Sequence, residues 1–188
     1  MRLSFSPKGR HLIGLDVSTT SVKLVELTKQ QARLHLKSYG VEPLEPGWVV
    51  DKNIVNSEEV GEAIARLVRR SGAGAKDAAT AVSGSAVITK VIDMEANMSD
   101  ADREAQIKLD AEQYIPYPLS EVNMDFEVLG PSITNPDLVR VLLAASRSEN
   151  VEQRVETHLM GGLTTKEMDS ESHASERAFG QMVDNLPN

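Results

Sequence analysis

The sequence contains no cysteine. That excludes a disulfide framework, a thiolate zinc site and a cysteine nucleophile. Positive charge is scarce: 20 Lys and Arg against 28 Asp and Glu leave a formal net charge of −8. Gripping a phosphate backbone needs a basic face, so this balance argues against a nucleic-acid partner. Long apolar runs are missing as well. The longest, Val141–Ala145, is far too short to span a bilayer, and residues 1–10 lack the apolar stretch of a signal peptide. The sequence reads as that of a soluble, cytoplasmic protein. No G-x-x-x-x-G-K-S/T occurs, which removes a P-loop. His11, His35, His158 and His173 have no metal-ligand spacing and read as surface or core positions. Among 28 acids close pairs arise by chance. No nucleophile, base and orienting group stand out as a set, so no catalytic residue is expected. At 188 residues the chain can form one medium domain or two small ones, each with a real core.

What is present centres on residues 12–27, LIGLDVSTTSVKLVEL. Two apolar runs, Leu12–Val17 and Val22–Leu27, flank four consecutive hydroxyl residues, Ser18, Thr19, Thr20 and Ser21. Short β-branched runs read as strands and the break between them as a hairpin turn. Asp16 leads into the turn and Lys23 leads out of it. Hydroxyls and backbone N–H groups donate to phosphate oxygens, a carboxylate orients Mg²⁺ through its waters, and an ammonium adds a point charge. These residue types at this spacing suit a metal-bound polyphosphate. Ser and Thr are also ordinary turn residues, so a solvated hairpin tip is the alternative.

The remaining chain alternates strands and helices. A third strand over 32–41 has Leu34 and Leu36 on one face, and Pro43 and Pro46-Gly47 end it. Ser57 caps a helix whose apolar stripe is Val60, Ile64, Leu67 and Val68, with Gly72 at its end. Strands at 78–82 and 86–92 are separated by Ser83-Gly84-Ser85. Ser99 and Asp102 form a capping box for a helix reaching about Ile115, stopped by Pro116 and Pro118. Strands follow at 122–129 and 138–145, then a helix opened by Ser148 with Val151, Val155 and Leu159 inside. Thr165–Asp169 is strongly polar, so a strand there is doubtful. A last helix, Ser172–Val183, places Ala174, Ala178, Phe179 and Met182 on one side. Met1–Arg10 carries Arg2, Lys8 and Arg10 among alternating apolar residues, which suits either a frayed terminus or contact with an acidic partner or lipid.

Asp16-Val17-Ser18-Thr19-Thr20-Ser21-Val22-Lys23 resembles the first phosphate loop of the actin, Hsp70 and sugar-kinase superfamily, D-x-G-S/T-x-x-x-K, with Ser18 where most members have Gly. That departure, with the S-V-K-L-x-E-L pattern, is similar to the PilM family of type IV pilus assembly proteins, relatives of the division protein FtsA. Further matches lie at Glu42-Pro43-Leu44, Lys52-Asn53-Ile54-Val55, residues 82–90 and Glu112-Gln113-Tyr114-Ile115-Pro116-Tyr117-Pro118.

The resemblance implies an α/β fold: a ribonuclease-H-like lobe of the actin-like ATPase fold, from residues 1–84 and 147–188, with a small β-α-β-β subdomain inserted at 85–146. The second lobe, with its own phosphate loop and adenosine pocket, is not found in the sequence, which therefore reads as half of a two-lobed protein. By the same resemblance Asp16, Ser18, Thr19, Thr20, Ser21 and Lys23 contact ATP, with Asp16 holding Mg²⁺ through water. Such a half-site is expected to bind nucleotide weakly or not at all.

The implied partners are the N-terminal tail of the inner-membrane protein PilN and other inner-membrane proteins of the pilus machine, which would tether the chain to the membrane without inserting it. A groove between lobe and inserted block is the expected peptide site. Asn53, Ile54, Val55, Ser83, Gly84, Ser85, Tyr114, Ile115 and Tyr117 are its candidate lining, since these stretches are irregular and outside clear core stripes. Simple packing between the two parts is the competing reading. The expected role is a scaffold and not an enzyme. An FtsA-like filament protein and half of a sugar-kinase-type ATPase are the alternatives. A kinase needs a catalytic Asp beside the acceptor hydroxyl, which the family pattern puts in or near the second lobe.

Overall fold

The computed structural model describes residues 11–30 and 33–183. The expectation for Met1–Arg10 lies outside the described residues. In chain order the elements are β1 (Leu12–Val17), β2 (Ser21–Gln30), β3 (Arg33–Pro43), β4 (Val49–Val50), β5 (Asn53–Ile54), α1 (Ser57–Ser71), β6 (Asp77–Val82), β7 (Val87–Glu95), α2 (Asp100–Asp110), β8 (Val122–Pro131), β9 (Leu138–Arg147), α3 (Ser148–Met160), β10 (Thr164–Ser170) and α4 (Glu171–Val183). Two compact units result. One is residues 85–149, and the other is built from the chain on either side of it. The second cut falls at 149/150, inside α3, where the sequence suggested 146/147.

The outer unit is a five-stranded sheet in the order β10-β6-β1-β2-β3. β2 runs antiparallel to β1 and β3, while β1, β6 and β10 are mutually parallel. This is the ribonuclease-H-like order, with three meandering strands on one side and two crossover strands on the other. Strict alternation in β1 and β2 sends Ile13, Leu15, Val17, Val22 and Leu24 to one face, where Val60, Ala63, Ile64 and Leu67 of α1 cover them. Helix α1 ends at Gly72, whose φ of 68° is the left-handed conformation a glycine adopts without a Cβ clash. Its N-cap is Asn56 and Ser57 is already helical, so the helix starts one residue earlier than the sequence suggested.

Helices α1 and α3 approach through small residues. A Cβ on Gly161 would lie 2.4 Å from Ile64 Cγ2, and one on Gly61 2.7 Å from Met160 Cβ. No side chain fits at either position.

One expectation is borne out with an addition, and two need correction. Leu34 and Leu36 do share a face, but it is the open one: they are 55% and 59% exposed. Thr164–Ser170 is a strand despite its polarity, because it lies at the sheet edge and pairs with one neighbour, β6, whose ladder supplies its main-chain hydrogen bonds. The inner face of α3 is largely polar. Arg154, Thr157 and His158 are buried beside Val151, whereas Leu159 is 66% exposed.

The unit of residues 85–149 is a three-stranded antiparallel sheet, β7-β9-β8, with α2 across it. Its separate core joins Met94, Ile107, Ala111, Ile115, Val141, Leu143 and Ala145. Ser99 caps α2 as expected, accepting the Asp102 N–H at 3.2 Å while donating to the Asp102 carboxylate at 2.6 Å. The α-helix stops at Asp110, short of the expected Ile115, and a 3-10 turn over Ala111–Gln113 continues it. Pro116 disfavours α geometry at the residue before it, so the chain tightens and leaves early. Gly84–Ala86 likewise forms a short 3-10 turn between β6 and β7.

Candidate functional site

Val17, Val82 and Ser170 end three parallel strands, so one edge of the outer sheet gathers their carboxyl ends. In open α/β sheets that edge is where ligands bind. The β1–β2 turn sits there. Ser18 N–H donates to Ser21 O at 3.0 Å, and Ser18 Oγ donates to the same carbonyl at 2.8 Å. This explains why a serine replaces the motif glycine. Asp51 and Lys52 are the non-glycine residues with positive φ among those described, so Ser18 needs no left-handed backbone, and its hydroxyl closes the tip. Lys23 and Asp16 face each other across the strands, and the ammonium donates to Asp16 Oδ2 at 2.7 Å and to Ser18 Oγ at 3.4 Å. Thr19 and Thr20 are exposed, and the Leu44 N–H fixes the Thr20 carbonyl at 2.9 Å.

Behind this tip lies a second hairpin. β4 and β5 are joined by Asp51 and Lys52, at φ 48° and 65°. Left-handed backbone at a residue with a Cβ is unfavourable by roughly 1–2 kcal/mol, so neighbouring elements must hold the turn. Arg154 of α3 donates to Lys52 O at 2.8 Å, Gln153 donates to Ile54 O at 2.5 Å, and Lys52 Nζ reaches Glu171 of α4 at 2.5 Å. Arg154 is 5% exposed. Burial pushes its pKa down, and the nearby charges of Glu171 and Asp16 oppose that shift. Asp16, Arg154, Glu171 and the two lysines thus form one electrostatic cluster along the sheet edge. His158, one turn along α3, is fully buried, with Nδ1 2.8 Å from Thr165 Oγ1. Burial first, and then the Arg154 charge, push it down to about 4. It is neutral at pH 7.

The structure brings Asp16, Ser18, Ser21 and Lys23 into mutual contact and leaves Thr19 and Thr20 open beside them. The partner-binding candidates divide differently. Asn53, Gly84 and Ser85 are exposed, and Val55 is 58% exposed. Ile54 at 3% belongs to the outer unit's core, Ile115 at 3% belongs to the core of the other unit, and Ser83 is buried. Those three are corrected from docking positions to packing positions. Tyr114 packs half-buried against the second core, whereas Tyr117 is 41% exposed and carries Arg147 over its ring at 5.7 Å. Arg154 and Glu171 were missed from the sequence. The available signal was an arginine three residues after Val151, on the stripe where an apolar side chain belongs.

The profile of the type IV pilus assembly protein PilM family matches residues 14–188. The chain belongs to the PilM family. A chain of the solved PilM–PilN type IV pilus biogenesis complex is similar, with TM-score 0.81 and 26% identity over 92% of this chain and 51% of that one. The cytoplasmic domain of EpsL, an inner-membrane component of the type II secretion system of Vibrio cholerae, matches with TM-score 0.52 and 11% identity, over 86% of this chain and 57% of that one. The second likeness is one of fold alone. The chain spans about half the length of the solved chains it matches, 51% and 57%. Its fold is that of one lobe of the actin-like family, with the small unit inserted between β6 and α3. Among the described residues no helix is long and apolar enough to cross a membrane.

Proposed function

We propose that this PilM-family chain is a scaffold of type IV pilus assembly that takes the N-terminal tail of an inner-membrane PilN protein, and so works at the cytoplasmic face of that membrane without entering it. The observation that carries the proposal is the match across 92% of the chain to a component of the PilM–PilN complex. A non-enzymatic role is supported by how two of the sheet-edge groups are committed: Lys52 to Glu171, and Arg154 to a main-chain carbonyl. ATP with Mg²⁺ is proposed as a ligand of the two-lobed family protein. The donors here suit a phosphate: two exposed threonine hydroxyls, the half-buried Ser18 and Ser21, and a half-exposed ammonium. Asp16 would hold the metal through water, and the metal would neutralise phosphate charge. Lys23 must first leave Asp16, which is cheap because a half-exposed ion pair is worth about 1 kcal/mol at most.

The test is fluorescence anisotropy with a labelled peptide of the PilN N-terminus. Micromolar affinity is expected, on the order of −8 kcal/mol. Asn53→Ala and Tyr117→Ala, both at exposed positions, should each weaken binding by about 1–2 kcal/mol without lowering the melting temperature. No binding at millimolar peptide would overturn the reading.

A further inference from the structure

The β4–β5 hairpin is held from several sides. Val49 and Val50 pair with Ile54 and Asn53, and Ile54, 3% exposed, roots the pair in the core. The Trp48 carbonyl accepts the N–H groups of Val55 at 2.8 Å and Asn56 at 3.1 Å. Consecutive residues of α3 then take the two carbonyls that bracket Asn53, Arg154 that of Lys52 and Gln153 that of Ile54. Taking a guanidinium out of water is costly, and Arg154 is buried on a stripe where an apolar side chain packs without that cost. What the arginine adds is a hold on Asp51 and Lys52, the non-glycine residues with left-handed backbone among those described. Strain of this kind persists only where surrounding groups over-determine it, and it concentrates at ligand clamps and switches.

The turn so held presents a polar side chain beside two apolar ones. Ile54 faces the core, whereas Asn53 and Val55 on either side of it are exposed. Val50, 46% exposed, is the cross-strand partner of Asn53 and shares its face. The Asn53 amide carries a donor and an acceptor. That pair matches the N–H and C=O of an extended main chain, and the two valines offer apolar contact to its side chains. We propose that Gln153 and Arg154 are positioning residues for the PilN tail: without touching it, they fix the backbone of residues 51–54 so that the Asn53 amide meets its main chain. An unheld turn would sample right-handed backbone at 51 and 52 and carry Asn53 away from that geometry.

This rests on the tail-binding reading, so the labelled PilN peptide is first titrated against the parent chain. Apparent affinity scales with the fraction of molecules in the competent turn, and Arg154→Met should weaken binding by about tenfold. Arg154→Lys keeps a cationic donor and should recover part of that loss. Asp51→Gly removes the cost of left-handed backbone at one of the two residues. Alone it should change affinity by less than about twofold, and added to Arg154→Met it should regain about threefold or more. In an Asn53→Ala background Arg154→Met should have little further effect, because it acts through that side chain. Amide hydrogen exchange should accelerate over residues 49–56 of Arg154→Met and stay unchanged over β1 and α1. Unchanged affinity in Arg154→Met overturns the proposal and leaves the reading standing. So does a loss that Asp51→Gly does not relieve, or one that adds in full to Asn53→Ala. If Arg154→Met shows no thermal transition, the half-buried Gln153 supplies the test. Gln153→Ala should weaken binding by about threefold, and unchanged affinity overturns the proposal. A parent chain that leaves the peptide unbound overturns the reading, and the proposal with it.

Discussion

At the scale of single residues, the polar groups buried under α3 should govern the response to acid. His158 is held neutral, with its pKa at about 4 against an ordinary 6.5. Because the folded value is depressed for a base, the unfolded chain takes up the proton first. The stability concerned is complete above pH 6.5 and is lost as pH falls toward 4, at up to about 1.4 kcal/mol per pH unit. Glu26 acts in a lower window. Burial pushes its carboxyl up, but the Lys37 ammonium, the Gly74 N–H and Ser38 outweigh it, and the net direction is downward. Its contribution therefore persists to below the usual carboxylate range. Urea denaturation between pH 7 and pH 4.5 should show the His158 slope, and His158→Asn should flatten it. Arg154→Met separates the two causes. With the guanidinium gone, the His158 pKa is expected to rise but to stay below 6.5, because burial, the larger cause, remains. Proton titration of the imidazole by NMR reads this directly, and an unchanged value would show that Arg154 has no hold on it.

At the scale of elements, two glycines of the outer unit should respond oppositely to the same change. Gly161→Ala drives a methyl into Ile64 at the α1–α3 contact and should destabilise by about 2 kcal/mol or more. Gly180→Ala sits in open space on α4 and should stabilise by roughly 0.5–1 kcal/mol through helix propensity and the unfolded chain. Chemical denaturation of both variants checks the pair. The same elements show what a sequence reveals. β1, β2 and α1 are legible because alternation and the 3.6-residue stripe are direct images of a half-buried strand and helix. β3 is legible as a strand, but alternation reports only that Leu34 and Leu36 share a face. Whether anything covers that face depends on elements elsewhere in the chain. β10 stayed doubtful because an edge strand can be held by its ladder with little apolar content. The buried face of α3 is not legible because Arg154 and His158 are held through a turn carbonyl and a threonine hydroxyl, contacts that have no period. For the candidate site, the phosphate hairpin was visible as a motif, whereas the β4–β5 turn's dependence on Gln153, Arg154 and Glu171 spans about 100 residues of chain.

At the scale of the molecule, each unit has its own buried cluster, and among the described residues none belongs to both. Replacing residues 86–146 by a short Gly-Ser bridge should therefore leave the outer unit with a cooperative thermal transition, measured by calorimetry. A bridged variant without one, beside a parent that has one, would mean that the two cores depend on each other. Nucleotide affinity belongs to this scale too. The chain spans about half of the solved PilM–PilN complex chain, 51%, and its hairpin offers phosphate contacts alone. Titration calorimetry with Mg-ATP is expected to give a Kd weaker than about 100 µM. Micromolar binding would mean that this lobe suffices.

The position of the inserted unit bears on how quickly the outer sheet can form. β6 and β10 are neighbours, Asp77 paired with Thr164, yet roughly 80 residues of chain separate them, and closing so long a loop from a disordered chain is slow. An inserted unit that collapses first replaces most of that loop with a compact body and shortens the search. A substitution buried only in the small unit, such as Leu143→Ala, would then retard assembly of a sheet that contains none of its atoms. The two units are bound in time through the chain that joins them.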